Sequence, residues 1–287
     1  MTPTEQRLRM RAILNGSACL SPASVYDPLS ARVAESVGFE LGLFAGSVAA
    51  STILAAPDIV VLTLTELVEQ TRRIMRCSNL SLMIDADHGY GNSLNAIRTV
   101  QELEHAGASA ISIEDTVLPP TSGQSDGADD MISIEEMVGK LEASVAARKD
   151  PATVILGRTS ALRGEGTEAA AARAKAYAAT GVDAIFVVGV QTIDQVEAVH
   201  NASGLPIVVG QAPAALKRED LQARGARVLL QGHQPVAAAV KALLETYTHL
   251  HNGGSPTELT PRIASAQEMD KFIHGEEYRG WQRDYLK

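Results

Sequence analysis

The feature that most constrains the fold is a repeat: short apolar, β-compatible runs alternate with longer helical patterns along most of the chain. The runs fall at about residues 41–46, 82–85, 110–114, 153–158, 184–189, 206–210 and 227–232, and an earlier short one lies near 18–24. Between them, segments rich in Ala, Leu, Glu, Lys and Arg recur at about 30–37, 62–74, 94–105, 134–147, 168–179, 193–200 and 217–223. Nearly continuous apolar strands are expected where helices cover a parallel sheet on both sides. Several helix-to-strand joints repeat one spacer, seen at Ala106-Gly107-Ala108, Thr180-Gly181-Val182 and Arg224-Gly225-Ala226. Glycine just past a helix takes the left-handed conformation that ends it and turns the chain into the next strand. Eight β/α units predict an α/β protein with a closed (β/α)8 TIM barrel. An open doubly wound sheet competes, but no Gly-x-Gly-x-x-Gly turn follows any strand.

A chain of 287 residues suits one such barrel, which we place at residues 1–250 as the catalytic domain. At His251-Asn252-Gly253-Gly254-Ser255-Pro256 the pattern breaks, and residues 251–287 read as a helical tail. The tail carries Phe272, Tyr278, Trp281 and Tyr285, four of the eleven aromatic residues, so it is expected to pack on its own barrel or on a neighbouring subunit. Residues 118–130 hold turn formers and small polar residues without an apolar period, and read as a long loop placed to act as a lid.

Composition narrows the partners. A formal charge of -9 with no basic run argues against nucleic acid or an anionic membrane surface. No apolar stretch reaches the ~18 residues that a membrane span needs, and the opening residues lack a secretion pattern, so the expected location is the cytoplasm. Cys19 and Cys77 stand far apart, without a spacing for zinc or a disulfide framework.

In barrels of this kind chemistry gathers where the strands end. Asp85 and Asp87 end one strand and Glu114 ends the next. A single Asp there reads as a helix cap, but three carboxylates at adjacent ends repel one another unless a cation joins them. Oxygen-only ligands suit a hard divalent ion such as Mg²⁺, with Mn²⁺ as a substitute. Asp85 is the candidate for direct contact, with Asp87 and Glu114 acting directly or through bound water. His88 is either a further ligand or a surface or core histidine.

Arg158 ends the fifth strand, where its guanidinium could bind a substrate carboxylate bidentately or simply neutralise Glu114 or Asp85. Ser47, in Phe44-Ala45-Gly46-Ser47, and His233, in Gln231-Gly232-His233, are candidate substrate contacts. A role for His233 in proton handling is also open. Asp58 lies in the loop after the second strand, as a supporting acid behind the ligands or as a cap.

These positions resemble the isocitrate lyase and phosphoenolpyruvate mutase superfamily, and within it most closely the oxaloacetate decarboxylase group. The resemblance rests on Phe44-Ala45-Gly46-Ser47-Val48-Ala49, on Asp85-Ala86-Asp87-His88-Gly89-Tyr90-Gly91-Asn92, on Ile113-Glu114-Asp115-Thr116 and on Gly157-Arg158-Thr159. It implies a Mg²⁺-dependent barrel, commonly a homotetramer that exchanges a C-terminal helix between subunits. By matching positions it implies metal at Asp85, Asp87 and Glu114, with Ser47, Arg158 and His233 on a 2-oxo dicarboxylate substrate. The implied reaction is decarboxylation of oxaloacetate to pyruvate and CO₂ through an enolate stabilised by the metal.

Departures sharpen the choice. Superfamily lyases carry a Lys-Lys/Arg-Cys-Gly-His segment after the fourth strand, where this chain has Pro119-Pro120-Thr121-Ser122-Gly123. Mutases and phosphonate hydrolases carry Glu-Asp-Lys where this chain has Glu114-Asp115-Thr116. Decarboxylases of the group place a tyrosine after the seventh strand, and Val209-Gly210-Gln211-Ala212-Pro213 has none. Cleavage or hydrolysis of another 2-oxo or phosphonate acid is the second reading, and a catalytically silent metabolite-binding barrel the third.

Overall fold

The structure is a computed structural model that describes residues 1–117, 119 and 130–287. Eight parallel strands pair in chain order: β1 (Ala23–Ser24), β2 (Leu41–Phe44), β3 (Ser81–Asp85), β4 (Ala110–Glu114), β5 (Val154–Thr159), β6 (Ala184–Val187), β7 (Ile207–Val209) and β8 (Ala226–Leu229). The sheet meets itself at Leu20, whose amide donates to the Arg227 carbonyl and whose carbonyl accepts from the Leu229 amide, each at 2.9 Å. That places the 18–24 run against β8 and bears out the eight-unit reading.

Most strands are largely apolar because both their faces are covered, whereas β8 is only half-buried on alternate residues. Leu82, Ile84, Ile111, Ile113, Ile155 and Val208 are fully buried at 0% exposure, so each contributes roughly 1.5–3 kcal/mol of transfer free energy. The three spacer glycines adopt the conformation their sequence demanded, with φ of +102° at Gly107, +89° at Gly181 and +97° at Gly225.

The helices are α1 (Pro3–Asn15), α2 (Pro28–Ser36), α3 (Gly46–Ala49), α4 (Leu64–Met75), α5 (Ser93–His105), α6 (Ile134–Ala147), α7 (Ala161–Gly164), α8 (Thr167–Ala178), α9 (Ile193–Ser203), α10 (Arg218–Ala223), α11 (Gln234–His251), α12 (Ala266–Phe272) and α13 (Gly275–Tyr285). Among the described residues no helix is long and apolar enough to cross a membrane.

The apolar period does not reveal α1, because much of its buried face is polar. Arg7 donates to the carbonyls of Ala108 and Glu104 and pairs with Asp150 at 2.7 Å, while Arg11 reaches Asp183 at 2.8 Å and the Ala152 and Thr153 carbonyls. These partners lie near the starts of β4, β5 and β6, so α1 plugs the face opposite the strand ends.

No residue of α11 is buried, and Val240, Leu243, Leu244 and Tyr247 are exposed on it. The tail touches its own barrel where Arg32 donates to the Phe272 carbonyl at 3.1 Å, whereas Tyr278, Trp281 and Tyr285 stay exposed. The lid expectation for 118–130 falls largely on residues outside those described. On either side, Val117 donates to the Asp130 carbonyl and Ile132 to that of Asp115, at 2.7 and 2.9 Å.

Candidate active site

Strand register builds the site. Parallel pairing sets Glu114 opposite Arg158 and Asp85 opposite Ser112, so acids and guanidinium emerge side by side where β3, β4 and β5 end. Arg158 Nη1 donates to Asp85 Oδ2 at 2.6 Å, and its Nε lies 2.9 Å from Glu114 Oε2. Ser112 Oγ adds a longer bond to Asp85 at 3.3 Å. The Phe186 ring, on β6, lies 5.0 Å beneath the guanidinium carbon. Burial pulls the Arg158 pKa down, but Asp85 and then Glu114 more than offset it and hold the group above its ordinary value.

A cavity of about 700 Å³ opens at this end of the barrel, lined by Ser47, Asp58, Asp85, Arg158 and His233 among others. Asp87 and Glu114 are buried next to it. The structure thus gathers all seven sequence-predicted site residues at one rim. His88 belongs to the core, 9% exposed, with Nδ1 making no hydrogen bond among the described residues. Burial and then the Lys140 charge lower its pKa to about 4.

Asp87 carries the clearest electrostatic signature. Burial first, then the charges of Asp85, Glu114 and Asp58, push its carboxyl up to about 8 against the smaller opposing pull of Arg158. Its carboxylate lies so close to Gly46 that a Cβ there would sit 2.5 Å from Oδ1. The glycine in Ala45-Gly46-Ser47 therefore makes room for an acid from another strand. Asp58, exposed at the lip, is raised by the surrounding chain and then by Asp85. Carboxyls that resist ionising, Asp87 and Asp58, crowded beside Asp85 and Glu114, are what a divalent cation stabilises, and this donor set fits one. Among the described residues, however, no three His, Cys, Asp or Glu side chains already stand in ligand geometry. The reason is visible: Arg158 sits between Asp85 and Glu114, the neutralising role that its sequence position left open.

His233 caps α11, and its Nδ1 lies 2.8 Å from Ser24 Oγ at the end of β1. Burial lowers its pKa against the opposing pull of Asp85 and Asp58. That balance disfavours the charged ring and leaves the imidazole a hydrogen-bonding group at the rim. Sequence reasoning missed Ser24, Phe186 and Arg163. Arg163 lines the cavity from α7. No local pattern marks any of the three, since only the barrel brings them to the rim. Gly210, Gln211, Ala212 and Pro213, the loop without the expected tyrosine, also line the cavity.

The chain matches the phosphoenolpyruvate phosphomutase family over residues 10–251. It is 48% identical over 272 residues to an oxaloacetate decarboxylase of Rhodopseudomonas palustris (strain BisA53), covering 94% of this chain and 93% of that one. It is 46% identical over 282 residues to an oxaloacetate decarboxylase of Bradyrhizobium diazoefficiens, covering 98% and 97%. Among solved structures, phosphonopyruvate hydrolase in complex with oxalate and Mg²⁺ superposes with a TM-score of 0.86 at 30% identity over 100% of both chains. A match across most of the barrel, together with relatives near half identity along nearly the whole length, makes this chain a member of the phosphoenolpyruvate phosphomutase family.

Proposed function

We propose that the protein is a carboxy-lyase that converts oxaloacetate to pyruvate and CO₂ with the help of Mg²⁺. The observation that carries this reading is the placement of Asp85, Asp87 and Glu114 around Arg158 at the strand ends, in a chain whose relatives at 46–50% identity are named oxaloacetate decarboxylases. Asp85 would hold the ion, with Asp87 and Glu114 beside it, and Mn²⁺ could substitute. When bound, the ion supplies a Lewis acid for negative charge that develops on the substrate's ketone oxygen, worth several kcal/mol.

The chain's own groups do the rest. Arg158 and Ser47 hold the C1 carboxylate and fix the keto end in the mouth of the cavity. His233, kept in place by Ser24, donates to the C4 carboxylate. Breaking the C3–C4 bond releases CO₂, sends its electrons toward the ketone and needs no base to begin. That agrees with a rim that lacks both the lyase cysteine and the mutase lysine. A proton delivered to C3 by His233 or water then completes pyruvate. Pyruvate release from a panel of 2-oxo acids, malates and phosphonates tests the reading. Oxaloacetate should turn over fastest; faster cleavage of a phosphonate or a malate, or no turnover at all, would sink it in favour of the hydrolase, lyase or binding-barrel readings.

The displaced Asp87 pKa gives a pH prediction. In the metal-free protein Asp87 keeps a proton that the unfolded chain releases near 3.8. Its contribution to stability is therefore fully present below that value and is lost as the pH rises towards about 8. Mg²⁺ must displace that proton, so its affinity should climb with pH up to about 8 and then level off. Calorimetric titration at pH 7 in buffers of different ionisation enthalpy should show about one proton released per ion, and Asp87→Asn should abolish that release. Heats independent of buffer would remove Asp87 from the ion's surroundings.

We also infer that the exposed apolar face of α11 is covered by a second copy of the chain, within a homotetramer. Sedimentation that found a monomer at micromolar concentration would contradict this.

A further inference from the structure

The turn that carries Asp87 is held in an unfavourable backbone conformation. Two residues other than glycine, Asp87 and Tyr90, have φ of +46° and +61°, and they alternate with Gly89 at +78° and Gly91 at +146°. Such conformations persist only where the surroundings over-determine them, and they gather at functional sites. Four hydrogen bonds fix this turn. Gly89 donates to the Ala86 carbonyl at 2.9 Å and Glu114 to that of Asp87 at 2.8 Å. Thr99 Oγ1 donates to the Gly89 carbonyl at 3.1 Å. The fourth comes from Lys140 Nζ, 3.0 Å from the His88 carbonyl.

Lys140 is the unusual member. It sits in the middle of α6, only 3% exposed, and sequence position gives it no part in the rim. Lysine is almost never fully buried unless it is paired. Glu136 on its own helix, with Asp115 and Glu114 at the end of β4, supply the negative charge that faces it. A buried ammonium directed at a backbone carbonyl between two strained positions is costly unless the position of that carbonyl matters.

We propose that Lys140 is a positioning residue for the turn that would help hold the ion: by gripping the His88 carbonyl, it keeps Asp87 packed against Gly46, beside Asp85 and Glu114. This rests on reading the rim as a divalent-ion site.

The test compares full-length wild type, Lys140→Met, which keeps the aliphatic stem, and Lys140→Arg, which restores charge and donors. In Lys140→Met the Gly89 amide should exchange with solvent at least about tenfold faster, while the Ile113 amide within β4 is unchanged. Mg²⁺ affinity measured by calorimetry should fall about tenfold or more, and Lys140→Arg should recover most of both. Unchanged Gly89 exchange and Mg²⁺ binding in Lys140→Met would overturn the proposal. So would an equal rise in exchange at Gly89 and Ile113, which marks a general loss of packing. Should Lys140→Met fail to fold, Lys140→Leu, which also lacks charge and donor, carries the same comparison. If wild type binds no Mg²⁺, the ion-site reading fails by itself, and Gly89 exchange still decides whether Lys140 holds the turn.

Discussion

Asp85→Ala should lose Mg²⁺-dependent pyruvate release by about a thousandfold or more while the barrel stays folded. The size follows from the several kcal/mol that a correctly held Lewis acid supplies, at ~1.4 kcal/mol per tenfold in rate. The fold should survive because Asp85 is a strand-end residue whose side chain, among the described residues, bonds Arg158 and, more weakly, Ser112. Its loss leaves Arg158 still paired with Glu114. The check is kcat at saturating Mg²⁺ together with a thermal melt. Near-normal turnover in a well-folded Asp85→Ala protein would refute the ligand assignment.

Arg158→Lys separates charge from geometry. The guanidinium engages Asp85 and Glu114 at once while stacking over Phe186. An ammonium keeps the charge but presents a point rather than a planar fork. Since charged hydrogen bonds are worth about 1.5–3 kcal/mol each, kcat/KM should fall roughly a hundredfold, with the loss appearing in KM as well as kcat. Arg158→Ala should be worse. It leaves the carboxylates of Asp85 and the buried Glu114 without their counter-charge, which should lower the stability of the metal-free protein, with Mg²⁺ restoring part of it. An Arg158→Lys enzyme with wild-type kcat/KM would show that the fork does not bind substrate.

Much of this site was legible in the sequence because β-strands in a barrel convert position into geometry. Once the apolar runs are aligned, the residue that ends each run stands on the rim, which is why Asp85, Glu114, Arg158 and His233 could be named without coordinates. What pairing produced was not legible. That Arg158 forms ion pairs with Asp85 and Glu114 follows from the Glu114–Arg158 register, which no local pattern encodes. The helix α1 escaped because Gln6 and Arg7 bury polar groups by hydrogen-bonding carbonyls, erasing the apolar period that marks a helix. Lys140 escaped for the same reason: a lone lysine in an Ala- and Glu-rich helix looks solvated until the turn it grips is placed beside it. Gly46 reads as a turn former, whereas its hydrogen side chain makes space for Asp87.

The central claim is that a divalent ion held by Asp85, Asp87 and Glu114 makes this barrel a decarboxylase. Pyruvate release from oxaloacetate by chelator-stripped protein, before and after Mg²⁺ is added back, tests it most directly, with Asp85→Ala at the same Mg²⁺ concentration setting the background. The account predicts activity near that background in the stripped enzyme and its full recovery with Mg²⁺ in wild type alone. Undiminished turnover after stripping, or equal rates in wild type and Asp85→Ala, would contradict it.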